Sequence, residues 1–139
     1  MKDIADLLGR LLIGMIFLYE ALDSVIFYDN MKVTMTQYGI TWRQDFLAVG
    51  LITMLFTGSI LIIIGYFAKV GALFLLLYWL PFSLIVYSFW DDPVAVQRIN
   101  ALNLIRNLAI CGGLLLIMDH GSGRYSIRRM IQVMKLPKE

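Results

Sequence analysis

Glu20 and Asp23 stand three residues apart inside an otherwise apolar stretch, with Leu11 to Leu18 before them and Val25, Ile26 and Phe27 after. At about 100° per helical residue the two carboxylates share one face. A charge at the centre of a membrane helix costs roughly 2.5–3.5 kcal/mol even on lenient insertion scales. Such groups therefore face a bundle interior, are neutralised, or find a cation. The one deep cation in the other apolar stretches is Arg106. Asn100, Asn103 and Asn107 share a helical face with Arg106 at its edge and Gln97 above. The expected polar cluster is thus Glu20, Asp23, Asn100, Asn103, Arg106 and Asn107. It admits two kinds of role. Carboxylates pairing with Arg and Asn fix helix register. Alternatively, the cluster forms a pocket for a quinone or small-molecule headgroup, a proton site, or a surface buried by a partner. Nothing in the spacing assigns a catalytic residue.

The remaining reactive groups are sparse. Cys111 is the only cysteine and His120 the only histidine. No intrachain disulfide can form, and no metal site of the usual ligand types is expected. Cys111 reads as a buried inert thiol, since no second cysteine is there to resolve a disulfide. Arg10 is expected to snorkel or to pair with Asp6 one turn earlier. Asp119 and His120 precede Gly121 and suit a helix end better than chemistry.

Helices must position these groups, and they are membrane helices. Of the 139 residues 60% are hydrophobic, well above the roughly 45–50% of soluble domains, and mean hydropathy is +0.76. The net charge of +2 is small, and no basic patch interleaved with aromatics points to nucleic acid. The expected architecture is all-α: one domain over residues 1–139, a four-transmembrane-helix bundle. Its helices cover about 7–27, 46–67, 70–90 and 93–118, each near the roughly 20 residues a span needs. A tail over 121–139 includes a short basic amphipathic helix, with Ile127, Met130, Ile131 and Met134 on one side and Arg128, Arg129 and Lys135 between. Such a helix suits an anionic leaflet or a partner.

Lysine and arginine counts set the orientation. Lys2, Lys69, Arg124, Arg128, Arg129, Lys135 and Lys138 fall on the side of the termini, against Lys32, Arg43 and Arg98 on the other. Both termini are therefore expected in the cytoplasm, in a bacterial inner membrane. No cleavage signature follows the first apolar stretch, which is expected to remain in the mature protein.

Connections carry their own signals. Tyr28 to Asp45 reads as the longest loop. Thr41 with Gln44 three residues on reads as a capping box. Asp91-Asp92-Pro93 reads as an Asp cap with Pro at the first helical position. Pro81, inside the third span, is expected to kink it, either as packing or as the mark of a ligand pocket. Gly50, Thr53 and Thr57 form a small-residue face for close helix contact, read as packing within the bundle with a dimer face as the alternative.

Several of these stretches resemble the DoxX family. They are Arg106-Asn107-Leu108-Ala109-Ile110-Cys111-Gly112-Gly113-Leu114-Leu115, then Gly121-Ser122-Gly123-Arg124-Tyr125-Ser126-Ile127, the opening Arg10-Leu11-Leu12-Ile13-Gly14, and Ile64-Gly65-Tyr66. Many members carry Gly and Lys where this chain has Ala21-Leu22-Asp23-Ser24, and an acidic residue near Met54. The resemblance implies a four-helix membrane protein. It also implies kinship with subunits of thiosulfate:quinone oxidoreductase, with proteins attached to membrane redox complexes, and with a eukaryotic branch in cargo export. No shared active site carries over. The resulting expectation is a small accessory subunit of a larger, redox-type inner-membrane assembly, with the bilayer and other membrane subunits, or copies of itself, as partners. The alternatives are a quinone- or small-molecule-binding oxidoreductase component, with a quinone as candidate cofactor, and an oligomeric transporter or proton pathway.

Overall fold

A computed structural model describes residues 2–90 and 92–135. Six helices follow in order: α1 Lys2–Ile26, α2 Tyr28–Gln37, α3 Gln44–Ile64, α4 Ala68–Val86, α5 Val94–His120 and α6 Ile127–Met134. No strand occurs among the described residues. Helices α3, α4 and α5 are each long and apolar enough to cross a membrane. Helices α1 and α2 qualify as a bent pair, turned 92° at Phe27. The chain thus has three to four candidate spans.

The long helices pack in series. Helix α3 lies against both α1 and α4, α4 lies against α5, and α1 touches α5 only slightly. The core runs through Phe17, Ala21, Leu55, Ile62, Leu75 and Leu114. Phe17 meets Trp79 edge-on at 5.1 Å, locking α1 to α4. Gly58 and Gly71 bring α3 and α4 together. A Cβ on Gly71 would stand 2.8 Å from the Gly58 carbonyl oxygen, so only glycine permits this approach.

That contact replaces the expected one. Gly50, Thr53 and Thr57 all face outward. The two threonine hydroxyls donate instead to the carbonyls of Val49 and Thr53, one turn back. Three local expectations also change. The stretch after α1 is not simply a loop, because Tyr28–Gln37 is helical. Thr41 does not cap α3: its N-cap is Arg43, at φ +46, and the Gln44 side chain donates to Ile40 O and to Thr36 Oγ1. Asp92 does not cap α5 either. Pro93 holds that position, and the Asp92 carboxylate accepts from Asn100 Nδ2 at 2.6 Å. Asp91 and residues 136–139 lie outside the described residues, and with them part of the cap and tail readings.

The ends of α1, α3 and α5 meet around Arg10. Its side chain is 1% exposed. It does not snorkel. Nη2 donates to the Tyr125 carbonyl, and Asp6 stands 3.9 Å from Nε, at the outer limit of an ion pair. Gly65 closes α3 at φ +71, and a side chain there would strike the guanidinium. Arg124 reaches Asp3 at 3.7 Å. Lys69 donates to the Asp119 carbonyl at 3.0 Å, supplying a cation to the last turn of α5, where orphan carbonyls accumulate. The α6 cap is Ser126, whose hydroxyl accepts from the Arg129 backbone N–H.

Candidate functional site

The polar residues singled out on α1 and α5 do not converge. Glu20 and Asp23 are half-buried on α1 and line a cavity of about 550 Å³. Its other walls come from α2, α3 and α4, and no residue of α5 lines it. Asn100, Asn103 and Asn107 are half-buried on α5, while Arg106 faces outward. Asn100 is engaged with Asp92. Among the described residues no ion pair joins Arg106 to Glu20 or Asp23. Helix α1 touches α5 only slightly and turns Glu20 and Asp23 to the cavity lined from α2, α3 and α4, so matching depth in the membrane does not bring the two polar sets together.

The cavity is mostly apolar. Helix α4 presents Tyr78 and Phe82, whose rings stack at 5.6 Å. Helix α2 contributes Met31 and Met35. Pro81 lies on the same wall, inside α4. Sequence reasoning missed the α2 residues, since the stretch read as a loop. Pro81 was the available signal for the α4 wall, as an imino acid inside an apolar helix.

Helix α2 roofs the cavity because polar contacts hold it against the start of α3. Lys32 Nζ sits 2.8 Å from Asp45 Oδ1. Tyr28 donates to the same oxygen at 3.1 Å. Gln44 Nε2 donates to Thr36 Oγ1 at 2.8 Å. At the far end Tyr38 donates to the Val86 carbonyl at 3.2 Å, tying the roof to α4. The hydrogen bond to Asp45 and its charge raise the Lys32 ammonium above the ordinary lysine pKa.

The cavity can take a molecule with an apolar body and a polar end. Among the described residues no group of three or more His, Cys, Asp or Glu side chains is arranged to hold a metal ion. Cys111 is buried in the core beside α4, away from the cavity lining.

A family model described as DoxX matches residues 5–88. That segment includes Glu20, Asp23 and the α4 aromatics, and it stops before α5. The chain is 27% identical over 131 residues to the inner membrane protein YqjF of Escherichia coli (strain K12), covering 94% of this chain and 95% of that protein. It is 25% identical over 128 residues to the inner membrane protein YphA of the same organism, covering 92% and 91%. No solved structure matches.

Proposed function

The chain belongs to the DoxX family, and from that premise we propose that it is a small-molecule-binding component of an inner-membrane assembly. The observation that carries this reading is the cavity of about 550 Å³ between α1, α2 and α4. Its size lies in the roughly 300–1,000 Å³ range of ligand sites, and its lining is apolar with a few polar groups. In this reading α1, α3, α4 and α5 form a single four-span domain, with both termini in the cytoplasm. The Arg124–Asp3 and Arg10–Tyr125 contacts support termini on one side. The exposed apolar residues Met130, Val133 and Met134 on α6 suit a helix lying on the leaflet there. Inner-membrane relatives support the location.

The test is binding. Thr34 lines the roof, and Thr34→Trp fills the space beneath it. Protein purified in gentle detergent is expected to carry or take up a small hydrophobic molecule, detected by intact-particle mass spectrometry. The Thr34→Trp protein should keep its melting temperature and lose the ligand. A chain that takes up no such molecule, with or without the tryptophan, overturns the reading.

A second observation favours the accessory-subunit side of the same reading. Arg106 sits near the middle of α5 and faces outward, where lipid would otherwise meet a charge. Intramembrane charges pair or face protein, so a partner subunit or a second copy covers this face. Arg106→Leu is expected to leave the bundle folded and shed the partner. A wild-type particle with the mass of one chain would exclude this second reading.

A further inference from the structure

We propose that the cavity takes an amphipathic organic cation, its charge between Glu20 and Asp23 and its apolar body against the aromatic wall of α4. The inference rests on the cavity being a small-molecule site and names the chemistry that site selects.

Charge is the first argument. Glu20 and Asp23 lie one turn apart and both line the cavity, yet no Lys, Arg or His does. Several of the chain's cations have other engagements. Lys32 is on Asp45, Arg10 on the Tyr125 carbonyl and Arg124 on Asp3. Arg106 points away from the bundle. Two like charges on one helix face repel each other. In a low-dielectric setting a bound cation offsets both their repulsion and their lost hydration.

The walls decide which cation. Calcium needs about six to eight oxygen ligands and magnesium an octahedral oxygen set. Beyond the carboxylates the side-chain oxygens belong to Ser24, Asn30, Thr34, Tyr38 and Tyr78, neutral groups spread over three elements among Phe27, Met31, Met35, Leu77 and Phe82, and no compact oxygen shell is formed. The apolar walls do suit an organic body. The stacked Tyr78 and Phe82 rings offer π faces to a poorly hydrated cation, and the methionines adapt to its shape. An anionic amphiphile would meet two carboxylates. A quinone's oxygens could accept from neutral lining groups such as Ser24 and Asn30, but a neutral molecule would leave both carboxylates without a counter-charge. A phospholipid amine would bring its phosphate into a cavity lined by no cation. The occupant is therefore a free lipophilic cation.

Tetraphenylphosphonium and tetraphenylborate are nearly the same shape and opposite in charge. Equilibrium dialysis of the detergent-solubilised full chain against each separates charge from fit. The expected result is that the phosphonium binds at least about tenfold tighter than the borate. Glu20→Gln with Asp23→Asn should erase that preference while circular dichroism and melting stay close to wild type. If the double variant does not fold, the wild-type comparison still decides. Equal binding of both ions leaves the cavity as a small-molecule site and overturns the cation proposal. Binding of neither overturns the cation proposal, and uptake of no small hydrophobic molecule by the purified chain overturns the small-molecule site with it. If phosphatidylethanolamine displaces the phosphonium from the delipidated protein and survives purification in its place, the occupant is a lipid, and the free-cation proposal fails.

Discussion

Arg10 and Tyr125 stand 115 residues apart in the sequence and are joined by a hydrogen bond from the guanidinium to the backbone carbonyl. This contact ties the first helix to the loop that follows the last long one. It places a nearly fully buried cation where α1, α3 and the α5–α6 loop converge. Nε and Nη1 are buried with no hydrogen-bond partner, and Asp6 approaches only to 3.9 Å. The side chain acts as a packed plug as much as a charge, since its stem fills space between three elements.

Arg10→Ala is expected to destabilise the protein by about 2–4 kcal/mol, through a cavity and a stranded carbonyl. Asp6→Asn should cost under about 1 kcal/mol, because the pair is long and Asp6 is partly exposed. Thermal melts in detergent compare the two. Equal losses would show that the ion pair, not the packing, holds this junction.

Gly65→Ala places a side chain at φ +71 and against the guanidinium. The left-handed conformation alone costs roughly 1–2 kcal/mol for an L-residue. In the Arg10→Ala background the clash with the guanidinium disappears, while the approach to Ser126 Cβ at 2.9 Å and the backbone part stay. The double-mutant cycle should therefore show coupling, and strict additivity would remove the contact from the account.

Gly71→Leu is expected to separate α3 from α4 and lower the melting temperature clearly, since Gly58 O lies where the first side-chain atom must go. Gly50→Leu should be near neutral, because nothing lies within 4 Å of a Cβ there. The reverse order would move the helix contact back to the outward face.

Lys32→Met should loosen the roof of the cavity. Hydrogen exchange at residues 28–37 is the measurement, and the variant is expected to exchange faster at neutral pH. The sign of the pH effect follows from the raised Lys32 pKa. The tether's contribution is complete between the ordinary Asp value of 3.8 and the ordinary lysine value of 10.5; it is lost as pH rises through the higher folded-state Lys32 value, or falls through the Asp45 value that Lys32 depresses. Exchange of this segment that is equal in wild type and variant would detach the roof from Asp45.

Orientation has a direct check. In a Cys111→Ser background, Trp42→Cys should react with a membrane-impermeant maleimide on intact cells, and Arg128→Cys only after lysis. The opposite pattern would invert the assigned topology. Cys111 is buried, so the parent chain should resist labelling.

The long helices were legible because each span must satisfy its backbone internally and present apolar side chains outward. That demand writes itself into residues 44–64, 68–86 and 94–120 without reference to neighbours. The amphipathic stretch from Ile127 was legible for the same local reason, and its Ser126 cap emerged only in the structure. Helix α2 was not. It is short, weakly apolar and held by Lys32, Tyr28 and Gln44 to residues elsewhere in the chain. Thr41 and Asp92 had the right types for caps, but the Gln44 side chain turns to Ile40 O and Thr36 Oγ1, and the Asp92 carboxylate is taken by Asn100.

Membrane character and helix-rich architecture were thus determined by composition and periodicity, which are local properties summed along the chain, while the family was legible only as a resemblance of short motifs. The pairing of polar groups was decided only in the tertiary structure. Periodicity put Glu20 with Asp23 on one face and the asparagines on another, and depth made Arg106 an apparent partner. Which face meets which is set by the order in which helices pack. Here α1 packs chiefly on α3 and α5 chiefly on α4, with only slight contact between α1 and α5. The carboxylates therefore open into an aromatic-walled cavity roofed by α2, while Arg106 turns outward. The packing order depends on side-chain shape at a few close contacts, above all Gly58 against Gly71 and Phe17 against Trp79. The hydrophobic pattern is nearly the same on every face of α3 and α4, so it carries no record of that choice.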